Sequence, residues 1–275
     1  MPFRDCHQPI CIFAAVKKQQ MKINRILFFV FLLSFLLSGT AKAQVSVKDS
    51  ALNLSSIYAT YGYGMPGGDL AERFGFSNQI GAGFMYELKN GWSFSFEGNY
   101  IFRDGVKNQA DLLSGILTSD GFLIDESGVF ANVMLTERGF TLWTKVGKLL
   151  PVIGPNPNSG LLLQFGAGMM QHKIRIDVPN NTAPQLKGDY SKGYDHLCNG
   201  PALSQFIGYQ HLGNSRKLNF FAGLEFVQAF TFSRRAYYFN DMVRPEEKRI
   251  DLLSSIKVGW HLPLYKKTKQ SFYYY

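Results

Sequence analysis

The chain has 275 residues, 29 Lys and Arg against 20 Asp and Glu, and a formal net charge of +9. A surplus of that size would suggest nucleic acid, but six basic residues and one acid lie in the first 43 positions, and without them the charge is +4. Nucleic acid is not an expected partner. Cys6 and Cys11 also lie in that segment, so Cys198 stands alone in the remainder and no intramolecular disulfide framework is expected.

Those 43 residues read as an export leader. Lys22 and Arg25 precede a 12-residue apolar run, Ile26 to Leu37, followed by small residues and Ala41-Lys42-Ala43, the charged, apolar and cleavage regions of a secretory signal. Met21 opens a complete signal by itself and is the expected start. Cleavage is expected between Ala43 and Gln44, and Gln rather than Cys at the new terminus argues against a lipid anchor. After Leu37 no apolar stretch is long enough to cross a bilayer as a helix. Residues 44–53 are expected to be a periplasmic segment, 54–262 a barrel and 263–275 a tail.

The first strand alternates Ile57, Ala59, Tyr61 and Tyr63 with Ser56, Tyr58, Thr60 and Gly62. Gly62-Tyr63-Gly64-Met65-Pro66-Gly67 then matches G-x-G-x-x-G, but Pro66 and Gly67-Gly68 lead into a loop rather than the helix a dinucleotide site needs. Asp69 is the expected N-cap of a helical turn that Gly75 ends. The second strand sets Ile80, Ala82, Phe84, Tyr86 and Leu88 against Gln79, Gly81, Gly83, Met85 and Glu87, and Lys89-Asn90-Gly91 supplies a tight hairpin turn. The third is the clearest: Trp92, Phe94, Phe96, Tyr100 and Phe102 alternate with Ser93, Ser95, Glu97 and Asn99, a strand long enough to span a bilayer. Aromatics line one face and small polar groups the other, which reads as lipid against lumen.

A long connection follows, in which Asn108 is expected to cap a helix from Gln109 to Leu117 whose apolar face, Ala110, Leu113, Ile116 and Leu117, packs as a lid over the barrel mouth. Strand four is expected over Gly139 to Gly147, five over Gly160 to Ile176, six over Ala202 to Leu212 with ambiguous facing, seven over Leu218 to Phe232, and eight over Ile250 to Leu262. Connections at 89–91, 148–159 and 213–217 are short; those at 64–78, 103–138, 177–201 and 233–249 are long. That alternation predicts an all-β, transmembrane, antiparallel up-and-down barrel with short periplasmic turns and long extracellular loops. Eight strands are expected, or ten if 122–125 and 129–135 form a spanning hairpin.

These strands, glycine-rich lumen positions and loop lengths resemble small outer-membrane barrels of the OmpA/OmpX type, including the PorT-like barrels of type IX secreting bacteria, over about Leu52 to Tyr265. The resemblance is architectural and implies no catalytic residue.

Glu87, Glu97, Lys145, Glu225 and Lys257 fall on lumen faces and are expected to form a paired charge network, since an eight-stranded barrel leaves room only for side chains. The outward parity of strand five continues to Lys173 and Arg175, which would meet lipopolysaccharide phosphates at headgroup height. Trp92 and Trp260 suit an aromatic girdle. The expected function is non-enzymatic and needs no cofactor: a structural or accessory subunit of an outer-membrane secretion or assembly complex, acting through its loops. A lipid-A-modifying enzyme using His172, His196, Ser191 or Ser204 is the second reading, and a narrow-solute channel the third. Asp189, Asp195, His196 and Cys198 lack the spacing of a structural zinc site.

Overall fold

The computed structural model describes residues 51, 53–179, 183–213, 218–245 and 248–264. The leader, with Ala43 and Gln44 at its expected cleavage point, and the tail from 265 onward lie outside the described residues.

Ten strands follow one another: β1 Leu54–Gly68, β2 Ser77–Glu87, β3 Trp92–Asp104, β4 Leu123–Ile124, β5 Phe130–Ala131, β6 Met134–Leu150, β7 Gly160–Asp177, β8 Cys198–Leu212, β9 Asn219–Ser233 and β10 Lys248–Leu264. β4 and β5 pair only with each other, while the other eight close in the order β1-β10-β9-β8-β7-β6-β3-β2. The closing seam runs antiparallel from Ser55 opposite Leu264 to Gly68 opposite Asp251. Closure leaves no unpaired edge, which is the condition for a sheet to stand in hydrocarbon. The hairpin of β4 and β5 is therefore a separate two-residue ladder, and the barrel has eight strands.

Side-chain alternation follows the sequence period. On β3, Phe94, Phe96 and Tyr100 are exposed while Ser93, Ser95, Glu97, Asn99 and Ile101 are buried. Ile80 and Phe84 on β2, Phe165 on β7, Leu224 and Phe226 on β9 and Ile256 and Val258 on β10 extend the exposed apolar face around the wall. An apolar belt of that extent is stable only against lipid. At the turn end, Lys148 Nζ lies 5.1 Å from the Trp92 ring centre and donates to Asn90 O at 2.7 Å, lifting its charge out of the belt.

Several elements depart from expectation. β1 runs on through Met65, Pro66 and Gly67 to Gly68 because β10 continues opposite it, so the first loop shrinks to 69–76. Helix α1 is Leu70–Arg73; the Asp69 carboxylate makes no cap bond but accepts from Ile250 N at 2.6 Å, and extended Phe74, not Gly75, ends the helix. Helix α2 is only Gln109–Leu112, followed by a 3-10 turn at Ser114–Ile116, with Asn108 in the left-handed region at φ 54° and no side-chain cap. Leu112 and Leu113 are buried in the loop core. β6 begins at Met134 and β8 at Cys198, both earlier than expected. On β8 the pairing to β9 lapses at Gly200 and Pro201 while the ladder to β7 is unbroken, as a strand proline with no N–H requires.

The facing of β8 is set: Ala202, Ser204, Phe206, Gln210 and Leu212 are buried inside, and Ile207 is exposed outside. Its sequence is ambiguous because Phe206 points inward and polar Gln205 does not. Gln205 instead exchanges two hydrogen bonds, 3.0 and 3.1 Å, with the amide of Gln228 on β9.

A charged layer in the lumen and a cap above it

Glu97 on β3, Lys145 on β6, Glu225 on β9 and Lys257 on β10 meet inside the barrel. Lys145 Nζ lies 3.1 Å from Glu97 Oε1 and 2.6 Å from Glu225 Oε1. Lys257 Nζ lies 2.9 Å from Glu225 Oε2 and also pairs with Glu97 Oε1. The four side chains are at most 2% exposed. Each carboxylate thus meets both ammonium groups and the charges cancel, as a buried ionic cluster requires. Tyr58 OH at 3.0 Å and Asn99 Nδ2 at 2.8 Å also donate to Glu97, and Ser204 Oγ at 3.0 Å donates to Glu225.

Glu87 does not join them. It is the last residue of β2, at the turn end, opposite Leu54 and Ser93, and it accepts from Gln210 Nε2 at 2.8 Å. Alternation gave its face correctly, but its height in the barrel depends on register.

Apolar side chains close the lumen on both sides of this layer. Tyr58, Met85, Leu149, Leu162, Phe206 and Phe221 pack toward the turn end, and Ile101, Trp143, Met170, Val227 and Leu253 toward the loop end. Inward glycines make the space: a Cβ on Gly259 would overlap the Phe221 ring, and one on Gly166 would stand 2.7 Å from Lys145 Cγ.

Higher still, His172 Nε2 lies 2.8 Å from Asp251 Oδ2, both side chains 0% exposed, with Thr231 donating to the same oxygen and the Phe74 ring edge-on to the imidazole. The residues considered for lipid modification are thereby separated. His172 is inside the upper lumen, Ser204 is bonded to Glu225, Ser191 Oγ donates to Gly188 O at 2.7 Å in a loop, and His196 Nε2 meets Asn240 Oδ1 at 3.1 Å. A serine–histidine contact that sequence did not suggest joins Ser56 Oγ to His261 Nδ1 at 3.1 Å, but both are buried and the imidazole packs against Tyr58 and Phe221. Asp189 and Asp195 are engaged by Lys192 and Arg235, and Cys198 Sγ accepts from Arg73 at 3.4 Å. Among the described residues no three metal-ligating side chains come together.

Lys173 and Arg175 are exposed on the outer face at the loop end of β7. Arg175 bends back to Asp177, with Nε 3.1 Å and Nη2 3.0 Å from Oδ1, so it is not a free cation. Lys173 has no ion pair among the described residues and sits opposite Arg138 on β6.

Above the mouth, Leu70, Phe74, Leu112, Leu113, Leu123, Leu186 and Tyr194 from three loops join the apolar cluster of the upper lumen. His196 stacks on Tyr238 at 3.9 Å. Burial, reinforced by the nearby Arg73 guanidinium, pushes its imidazole down to about 4, so it is neutral at pH 7.

No family model and no curated protein match the chain. Among solved structures it is similar to Ail, the attachment invasion locus protein of Yersinia pestis, in complex with the heparin analogue sucrose octasulfate: 12% identity, 76% of this chain, 98% of that one, TM-score 0.38. Ail in a phospholipid bilayer nanodisc covers 76% of this chain and 99% of its own at 12% identity and TM-score 0.30. Neisserial surface protein A gives 11% identity, 76% and 96% coverage and TM-score 0.38. At those values the likenesses add nothing to what the barrel's own closure and apolar belt establish: an eight-stranded antiparallel transmembrane β-barrel.

Proposed function

We propose that the chain is a non-enzymatic barrel that serves as a structural or accessory subunit of an outer-membrane secretion or assembly complex and works through its loops. The observation behind this reading is the filled lumen. Two lysines and two glutamates neutralise one another between two apolar layers, which argues against solute passage and leaves the loop surface and the lipid-facing wall for contact with other molecules. Export through the leader, with cleavage between Ala43 and Gln44, belongs to the same proposal. At the outer rim, Lys173 with Arg175 would meet lipopolysaccharide phosphates, Lys173 foremost because Asp177 already occupies Arg175, and neighbouring Arg138 is held by the Arg103 and Glu137 carbonyls and by Asp104.

The experiment is affinity purification in mild detergent, with identification of co-purifying proteins and lipopolysaccharide, on the wild type and on Lys173→Gln with Arg175→Gln. A stoichiometric envelope partner is expected, with reduced lipopolysaccharide in the double variant. Unitary conductance in planar bilayers would reject the filled-lumen reading, and purification free of any partner would reject the accessory role.

A further inference from the structure

A cavity of about 410 Å³ opens among the first, third and fourth loops at the loop end. Three arginines line it, Arg73 from α1, Arg244 from the last loop and Arg249 from the start of β10, against one acid, Asp241. Arg73 is partly buried, yet has no carboxylate in ion-pair reach among the described residues. Its Nη1 donates to the Cys198 sulfur, a weak acceptor, and its guanidinium contacts Tyr238, 5.9 Å from the ring centre. Arg244 likewise has no ion pair among the described residues. Arg249 Nη2 donates to Asp69 O at 2.8 Å and lies 3.4 Å from Glu72, but its Nε is buried with no partner. A half-buried cation without a carboxylate, as Arg73 is, is unfavourable by itself, and the guanidinium groups of exposed Arg244 and of Arg249 line the same cavity.

The neutral groups of the cavity have fixed roles. Asn240 Nδ2 donates to Asp241 at 2.7 Å, so the Asn240 oxygen faces His196 Nε2, which therefore carries the proton and leaves Nδ1 as an acceptor. That Nδ1 is buried and unpartnered. Tyr238, stacked on His196, donates its hydroxyl to Ser233 Oγ at 2.9 Å. The cavity thus offers guanidinium donors for a tetrahedral oxyanion beside a flat aromatic wall, the stacked Tyr238 and His196 rings.

We infer that this cavity binds a phosphate ester, with Arg73, Arg244 and Arg249 on the phosphate and the Tyr238–His196 face against the organic group. Glu246 and Glu247, next in sequence after Pro245, lie outside the described residues. The inference stands apart from the accessory role proposed above, because it concerns a ligand rather than a protein partner.

The test uses the full-length protein in detergent, with thermal transition and calorimetry read in the presence of inorganic phosphate, glucose 1-phosphate, chloride at matched ionic strength, and lipopolysaccharide-containing vesicles. A phosphate ligand is expected to raise the transition where chloride does not. Arg73→Gln and Arg244→Gln should each weaken binding at least tenfold, and Lys89→Gln at the turn end should not. Arg244 is exposed, so its variant tests the site even if Arg73→Gln fails to fold. A shift with the soluble phosphates identifies a soluble ligand, and a shift with the vesicles alone identifies a lipid headgroup; either supports the site if it depends on Arg244. Equal response to chloride, or binding indifferent to Arg244→Gln, overturns it.

Discussion

Glu97 occupies a position that allows little substitution. It accepts from both lysines of the lumen layer, from Tyr58 and from Asn99, so Glu97→Gln keeps the shape but leaves two buried ammonium groups with one carboxylate. Breaking one partner of a truly buried ionic cluster typically costs about 3 to 5 kcal/mol, whereas replacing the whole cluster by apolar groups of similar volume is often neutral or better. Glu97→Gln should therefore lower the temperature at which heat-modifiable gel mobility is lost. Changing Glu97, Lys145, Glu225 and Lys257 together to Met should restore much of it. An unchanged transition in the single variant would mean that the layer is hydrated. Glu97, Glu225 and Lys257 were legible in the sequence because each sits at an inward parity on an alternating strand, whereas the inward reading of Lys145 rests only on keeping its charge off the lipid, since Trp143 shares its face and Thr144 does not. Glu87 shares that parity but not the height, which only the pairing of β2 with β1 and β3 fixes.

At the scale of elements, sequence legibility follows how strictly side chains alternate. β3 alternates without exception near its centre and its facing could be read directly. β8 could not, since Phe206 fills the lumen against Phe221 while Gln205 lies outside against Gln228. Strand ends were also missed: Gly67 and Gly68 look like loop, yet β10 opposite holds them in the ladder, and the helix expected through Leu117 gives way after Leu112 where loop packing draws in both Leu112 and Leu113. The glutamine pair gives a double-mutant test of the β8–β9 seam. In hydrocarbon an amide that loses its partner bears the full desolvation cost, about 1 to 3 kcal/mol, while replacing both partners is close to neutral. Gln205→Leu and Gln228→Leu should each destabilise the barrel in denaturant titration of vesicle-inserted protein, and the double variant should recover most of the loss. Additive losses would show that the two amides act independently.

The molecule as a whole has two tiers that differ in what holds them. Eight ladders close the barrel through backbone bonds that are insensitive to pH, whereas the cap rests on loop packing, on the Asp195–Arg235 pair and on a stacked, neutral His196. The imidazole of His196 is lowered to about 4 from its ordinary 6.5, chiefly by burial and then by Arg73, with Arg249 acting the same way and Asn240 and Asp241 opposing. Between those values the unfolded chain binds the proton that the folded cap refuses, so stability is whole above about pH 6.5 and declines as pH falls toward 4. At 1.36 kcal/mol per pH unit the loss reaches at most about 3 kcal/mol, enough to open a cap of short helices but not a closed barrel. Limited proteolysis should accordingly cut 178–197 and 234–247 faster at pH 5 than at pH 7.5, while the heat-modifiable barrel fragment survives at both. His196→Gln, which keeps a polar group but cannot take the proton, should flatten the pH dependence. Cleavage rates that rise with acid equally in that variant would assign the loosening to another group, and barrel loss in step with loop cleavage would mean that the two tiers unfold as one.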